Sequence, residues 1–348
     1  GYFSDCKDQK ELLVLQKKYE QKDKDIREIR DQLSQKRNEW QNIKPKGFVI
    51  LAFSEENQQL MEYIKPELDK RGFYGTLVVK SNGHISKEEM EEWTNSGWDI
   101  ALGGEIGKEK EQRERFIEDF QKLSEKCKTY VGRAPQGFFF NGGDASYGKQ
   151  MLYPLMEKYS YSVAVMFAQN ENRLNYSVNQ EYGELKECQN ISLRNGYEKI
   201  KLFLEQAKVQ KVPMVLSDFG EKNQMEISKE EQIEEFTKIL DLIQEAYREG
   251  DLKVGSIQEY IDYLSEVEEE KKKAKEEYQT YEQENEEKRK ANNTYTGVDT
   301  EILQEKKHEE NRSLCCNYIS GNYFYRIHGL FNCSYNRSLY TCNNYITH

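Results

Sequence analysis

Apolar residues are spaced differently in three parts of the chain. Between residues 8 and 43, Leu12, Tyr19, Ile26, Leu33 and Trp40 recur every seventh position, with Leu15 and Ile29 between them, in a background of Lys, Glu, Gln, Asp and Arg. That spacing is the a/d seam of a heptad helix. Lys22 and Lys36 fill the remaining d positions and weaken the seam, so a single solvated helix is the alternative. A second seam, Tyr260, Val267, Ala274 and Tyr281 with Leu264 and Tyr278, runs near the other end. A helix of about 30 residues is about 45 Å long, so the two predict a stalk, paired antiparallel within one chain or between chains as a dimer.

Between these helices the pattern changes to bounded apolar runs alternating with amphipathic segments. Strands are expected at 47–53, 73–79, 98–102, 129–132, 161–167 and 212–217, and helices at 55–70, 86–95, 108–126, 147–158, 196–210 and 228–249. Ser86 with Glu89 and Ser228 with Glu231 spell S-K-E-E capping boxes at two helix starts. Runs such as V-I-L-A-F suit strands buried on both faces. The alternation therefore predicts an α/β domain on a parallel sheet, either doubly wound or closed as a barrel.

Composition narrows the function classes. A chain of 348 residues that is 36% hydrophobic can bury one core of roughly 200 residues with extensions. The net charge of −11, with 32% charged residues, argues against a nucleic-acid partner, which would need a clustered basic face. Cys6, Cys127 and Cys188 are scattered, whereas Cys315, Cys316, Cys333 and Cys342 crowd the end, and no C-x-x-C spacing occurs. Cys127 and Cys188 are either a disulfide of an oxidising compartment or two isolated thiols. No apolar stretch of about 18 residues marks a membrane helix or secretory segment. Gly1 in place of Met leaves room for an anchor or signal ahead of it. The signatures G-x-S-x-G, P-loop, G-x-G-x-x-G at a helix start and H-E-x-x-H are missing, and Gly103-Gly104 and Gly142-Gly143 are too short to cradle a phosphate.

The segment 313–348 has neither helical nor strand periodicity and is rich in Asn, Tyr, Cys and Ser. Its residues have A/T-rich codons, and a one-nucleotide shift turns many Asn-Tyr pairs into Ile-Ile. The segment is expected to be an out-of-frame reading of a membrane span, with a natural disordered or cysteine-crosslinked tail as the alternative.

The order of segments over 46–262 resembles the polysaccharide deacetylase family, whose NodB homology domain is a distorted (β/α)7 barrel. The family's T-F-D-D-G strand end is matched by Ala52-Phe53-Ser54-Glu55-Glu56-Asn57, and its next strand by Gly75-Thr76-Leu77-Val78-Val79. Gly97-Trp98-Asp99-Ile100-Ala101-Leu102-Gly103-Gly104-Glu105-Ile106-Gly107 follows the frame of G-H-E-I-G-S-H-T-x-x-H. Arg133-Ala134-Pro135-Gln136-Gly137 resembles R-x-P-Y-G, and Leu216-Ser217-Asp218 resembles the last motif, a leucine followed by His and often Asp.

The resemblance implies chemistry that these residues do not complete. The family's catalytic-base Asp falls on Ser54, which cannot act as a carboxylate base. Its metal-binding Asp falls on Glu55, both metal-binding histidines on glycines Gly103 and Gly107, and the acid–base histidine on Ser217. Arg133 would orient a carboxylate that Ser54 lacks, so pairing with a nearby acid at the barrel rim is its alternative role. Glu55, Glu105 and Asp218 remain as the acidic groups for a divalent metal such as Ca²⁺ or Mg²⁺, against a solvated acidic rim. Arg133, Phe138 and Tyr147 are the candidates for contacting a glycan, by stacking of aromatic rings at the mouth, against ordinary core packing. His84 is expected at the surface.

These observations predict a catalytically inactive deacetylase-like barrel of a bacterial cell envelope, needing no cofactor. It would recognise or scaffold surface polysaccharide or its biosynthetic machinery, and would be membrane-anchored in the intact protein. Two other readings stay open: a metal-dependent glycan deacetylase with a displaced site, and a coiled-coil structural protein with self-association or an envelope protein partner. The domains follow as an N-terminal helix over 1–45, the barrel over 46–262, a second helix over 263–292 and the atypical remainder over 293–348.

Overall fold

A computed structural model describes residues 2–57, 59–80, 82–140, 145–167, 172–218 and 230–294. In chain order the elements are α1 (Tyr2–Asn42), β1 (Gly47–Ser54), α2 (Lys65–Lys70, preceded by a π turn at Leu60–Ile64), β2 (Thr76–Lys80), α3 (Lys87–Asn95), β3 (Asp99–Gly104), α4 (Lys110–Val131) and β4 (Gly137–Phe140). There follow α5 (Ala145–Lys158), β5 (Val163–Phe167), β6 (Ser177–Asn179), β7 (Leu185–Ser192), α6 (Gly196–Gln210), β8 (Pro213–Ser217), α7 (Glu230–Arg248), β9 (Leu252–Gly255) and α8 (Ile257–Thr294). The chain divides into two compact units, Arg30–Tyr281 and a second made of Gly1–Ile29 with Glu282–His348.

In the larger unit the strands close into a ring in the order β2-β3-β4-β5-β7-β8-β1, and β1 returns to β2. All seven pairings around this ring are parallel, so of the two expected architectures it is the (β/α)7 barrel. The ring is distorted at one seam. Strand β1 pairs with β9 over Gly47–Ile50 and with β2 only from Ala52 to Ser54. The short β6 adds to β7 antiparallel, outside the ring.

Alternation along the strands makes two cores. Phe48, Ile50 and Ala52 of β1 point into the barrel with Val78, Ala101, Phe139, Val163, Val165, Cys188 and Val215. Their neighbours Val49, Leu51, Phe53, Leu77, Leu102, Phe138 and Leu216 face the surrounding helices. The inner core is completed by Ile257 and Tyr260 of α8, both buried. This first turn is held by three capping bonds: the Ile257 N–H donates to Thr76 Oγ1 and the Gln258 N–H to Asp99 Oδ2, each at 2.9 Å, and the Glu259 N–H to Ser256 Oγ at 3.2 Å. Gly137 is needed here, because a Cβ on it would lie 2.4 Å from Ile257 Cδ1. Gly137→Ala is expected to cost about 1–3 kcal/mol by overpacking, measured as a lower urea midpoint, and an unchanged midpoint would show that the plug has slack.

Several expectations are corrected. Residues 129–131 end the helix α4 rather than forming a strand. The stripe Phe116, Phe120, Leu123 and Cys127 continues the helical spacing, and Gly132 ends it with φ 83°. The strand lies further on, at β4. Strands β6, β7 and β9 were not expected at all. The helix α8 begins at Ile257, so the boundary expected at 262/263 falls inside a continuous helix whose first turn fills the barrel. Cys127 and Cys188 are free, one in each core. Their separation removes the disulfide alternative, and burial pushes both thiols up to about 12. The Ser86–Glu89 capping box is present. Ser228, Gly142-Gly143 and the whole of 295–348, including its four cysteines, lie outside the described residues.

The seam helices pair antiparallel within the chain over the part that belongs to the larger unit. Gln32 bonds the hydroxyl of Tyr281, Arg37 that of Tyr278 at 2.7 Å, and the Lys46 N–H that of Tyr263 at 2.8 Å, so partners descend as α1 ascends. Leu33, Val267 and Tyr278 are buried here. Lys36, a seam-weakening residue in the heptad pattern, lies 5.6 Å from the centre of the Tyr281 ring, a cation–π contact. In the smaller unit Ile29 and Asn285 are buried, whereas Leu13 and Val14 are exposed. No helix among the described residues is long and apolar enough to cross a membrane.

Candidate functional site

In a parallel barrel the C-terminal strand ends carry the chemistry, because the loops that follow them converge on one mouth. Register brings Ala52 opposite Ser217, so Ser54 and Asp218, both buried, meet just above. Asp218 Oδ1 accepts the Ser54 N–H at 2.7 Å, and its other oxygen accepts the side-chain amide of the buried Asn57. The turn itself is self-satisfied. The Asn57 N–H donates to the Ser54 carbonyl at 3.0 Å, Ser54 Oγ accepts the Glu56 N–H at 3.1 Å, and Asn57 Oδ1 accepts the Gln59 N–H at 2.9 Å. Burial pushes the Asp218 carboxyl up to about 6, against the pull of the Asn57 and Ser54 bonds. This carboxylate ties the end of β8 to the turn after β1.

The other two expected metal ligands lie elsewhere. Glu55 is half-buried, with Oε1 accepting the Lys80 N–H at 3.1 Å, and burial raises its carboxyl above the ordinary range. It lines a groove with Lys65, Lys80, His84, Glu89 and Glu92, where Glu56 pairs with Lys80 at 2.6 Å. Glu105 is exposed on the loop after β3. Among the described residues no three His, Cys, Asp or Glu side chains are grouped closely enough to hold a metal ion. The expected trio Glu55, Glu105 and Asp218 is therefore not assembled, and the residues present do not fit the divalent metal that the resemblance implies.

Of the two glycine positions, one lies within a strand and the other is closed by a neighbouring side chain. Gly103 sits in β3 between Lys80 and Phe139. A Cβ at Gly107 would lie 2.2 Å from Gln112 Oε1 and 2.5 Å from Gln112 Cβ, so the loop packs around the missing side chain.

Arg133 requires the largest correction. Its segment precedes β4 instead of following it, which puts it at the floor of the barrel, opposite the mouth. There it lines a small chamber with Asp99, the first residue of β3, and Gln258, at the start of α8, and its charge acts on Asp99. The acid that its charge reaches, Asp99, stands at the floor and not at the rim of the mouth. Residues 141–144, which follow β4, lie outside the described residues. Phe138 is fully buried against Phe116 and Phe120, with ring centres 5.9 and 5.7 Å away, so it cannot stack on a sugar. The Tyr147 side chain lies outside the described residues. His84 is exposed, as expected.

Sequence reasoning missed Asn57, Lys80 and Asp99, the residues that hold the two ends of the barrel. The signal for Asn57 was its place three residues beyond a strand end, where an amide reaches back across a turn.

No family model matches the chain, and no curated protein matches it. Its structural neighbours are polysaccharide deacetylases and esterases of carbohydrate family 4. The Xyl-CE4 domain of a multidomain xylanase from the hindgut metagenome of Trinervitermes trinervoides is 12% identical, with 64% of this chain and 92% of that one covered and a TM-score of 0.40. The catalytic domain of a peptidoglycan N-acetylglucosamine deacetylase from Eubacterium rectale is 14% identical, with 61% and 89% covered and a TM-score of 0.37. A mutant CE4-family pseudoenzyme with restored enzymatic activity is 11% identical, with 62% and 67% covered and a TM-score of 0.36.

Proposed function

We propose that this chain is a deacetylase-like barrel without deacetylase chemistry, which recognises or scaffolds a cell-surface polysaccharide, or the machinery that builds it, at a bacterial envelope. The observation that carries the proposal is the knot at the mouth. Of the three acids left by the motif comparison, the buried one, Asp218, has both oxygens engaged by Ser54 and Asn57, and serine or glycine stands where a base, an acid and two imidazoles would be needed. Groups that act as a unit leave little behind when all are replaced. The helices at either end of the barrel act in this proposal as the arm that presents it, and an anchor beyond the described residues would hold it at the membrane.

The full chain is expected to release no acetate from acetylated peptidoglycan, chitooligosaccharides or xylan, with Zn²⁺, Co²⁺ or Mg²⁺ added or with chelator. It is expected to co-sediment with at least one insoluble envelope polysaccharide. Metal-dependent release abolished by chelator would overturn the proposal in favour of a displaced-site enzyme. A folded chain that sediments with none of them would leave the helices as the working part.

A further inference from the structure

The floor of the barrel contains a small chamber between the ends of α3 and α4, the start of β3, the 132–136 segment and the first turn of α8. It is lined by Thr94, Asp99, Cys127, Arg133, Gln136 and Gln258, among others, is open to solvent on one side, and has about 10 Å³ of room, enough for one water molecule. Asp99 is 5% exposed. One of its oxygens accepts the Gln258 N–H, while Oδ1, also buried, has no hydrogen-bond partner among the described residues.

The Thr76 hydroxyl, which accepts the Ile257 N–H, also acts on the Asp99 carboxyl, whereas the donors that line the chamber are committed to other acceptors. Thr94 Oγ1 donates to the Met90 carbonyl at 2.7 Å, Gln136 Nε2 to the Ala134 carbonyl at 3.3 Å, and Gln258 Nε2 to Asp262 at 2.8 Å. A buried carboxylate oxygen without a hydrogen-bond partner of its own is costly, on the order of 1–3 kcal/mol. Arg133 is the cation whose charge acts on Asp99 across this chamber.

We infer that the chamber is a binding site for a single ordered water, which donates to Asp99 Oδ1 and accepts from Arg133. Asp99 then holds the first turn of α8 with one oxygen and the 132–136 segment, through the water, with the other. Arg133 is a positioning residue for the joint between barrel and α8, far from the mouth.

The test is water–amide cross-relaxation by NMR on the full chain, with amide exchange followed at Gln258. A long-lived water contact is expected at the Gln258 or Ile100 amide. Arg133→Ala, at an exposed side chain, should abolish that contact and speed Gln258 exchange about three- to tenfold, the effect of losing roughly one net hydrogen bond. Cys127→Met, which fills the chamber from the α4 side, should abolish it too. The inference is overturned if the unchanged protein shows no such contact, if the contact survives Arg133→Ala, or if a crystal structure places the guanidinium directly on Asp99 Oδ1.

Discussion

Asp218→Ala is expected to lower the unfolding free energy by about 2–4 kcal/mol. The substitution removes the acceptor of two buried donors, the Ser54 N–H and the Asn57 amide, and each buried orphan costs about 1–3 kcal/mol. Loss of the buried negative charge offsets part of this. Asp218→Asn keeps one acceptor but turns an amide toward a donor, so it should fall between wild type and Asp218→Ala. Urea unfolding at pH 7 with constant slope checks the series. If Asp218→Ala is neutral, Asp218 is not a structural tie, and its availability for binding or chemistry must be reconsidered.

The second large effect is on pH dependence. Burial moves the Asp99 carboxyl from its ordinary 3.8 up to about 6, while the Thr76 hydroxyl, the Gln258 N–H and the Arg133 charge pull it back. The folded chain thus binds this proton more tightly than the unfolded chain. Its contribution is complete below pH 3.8 and is lost as the pH rises through 6. At about 1.4 kcal/mol per pH unit the gap is worth about 3 kcal/mol. Glu67 and Glu187, held low by Lys70 and Arg71 and by Lys149, act with the opposite sign, so the total curve mixes both. The difference between wild type and Asp99→Asn isolates Asp99: the variant should gain about 2–2.5 kcal/mol relative to wild type between pH 4 and pH 7. A difference that stays flat with pH would show that Asp99 titrates as an exposed carboxylate does.

The elements legible in the sequence were those whose apolar pattern was not shared with another structure. Strand β1, apolar on both faces, admits one reading. Strand β7 does not: in L-K-E-C-Q-N-I-S, polar side chains such as Gln189 and Asn190 are buried, and no hydropathy pattern marks them as core. At 129–132, Thr, Tyr and Val suggested a strand, but the stripe begun at Phe116 carried the helix through them. The same misplacement moved the site. Arg133-Ala134-Pro135 matches a motif by its letters, yet chemistry depends on whether a motif precedes or follows its strand. Once β4 starts at Gly137, the arginine is at the wrong end. Ser54, Gly103 and Ser217 do lie at the C-terminal ends of β1, β3 and β8, because the strands holding them were legible. What made Asp218 structural, the amide of Asn57, depends on how the turn folds back, and spacing alone does not encode that.

Strand β1 is shared along its length between two partners, β9 over Gly47–Ile50 and β2 over Ala52–Ser54, so the strand that closes the ring and the strand that leads into α8 meet end to end at one step in the wall. The Ile257 N–H, donating to Thr76 Oγ1, bridges that step. Thr76 is thus the place where the first turn of α8 is fastened to the closing strand, and loosening it would open the seam from both sides at once.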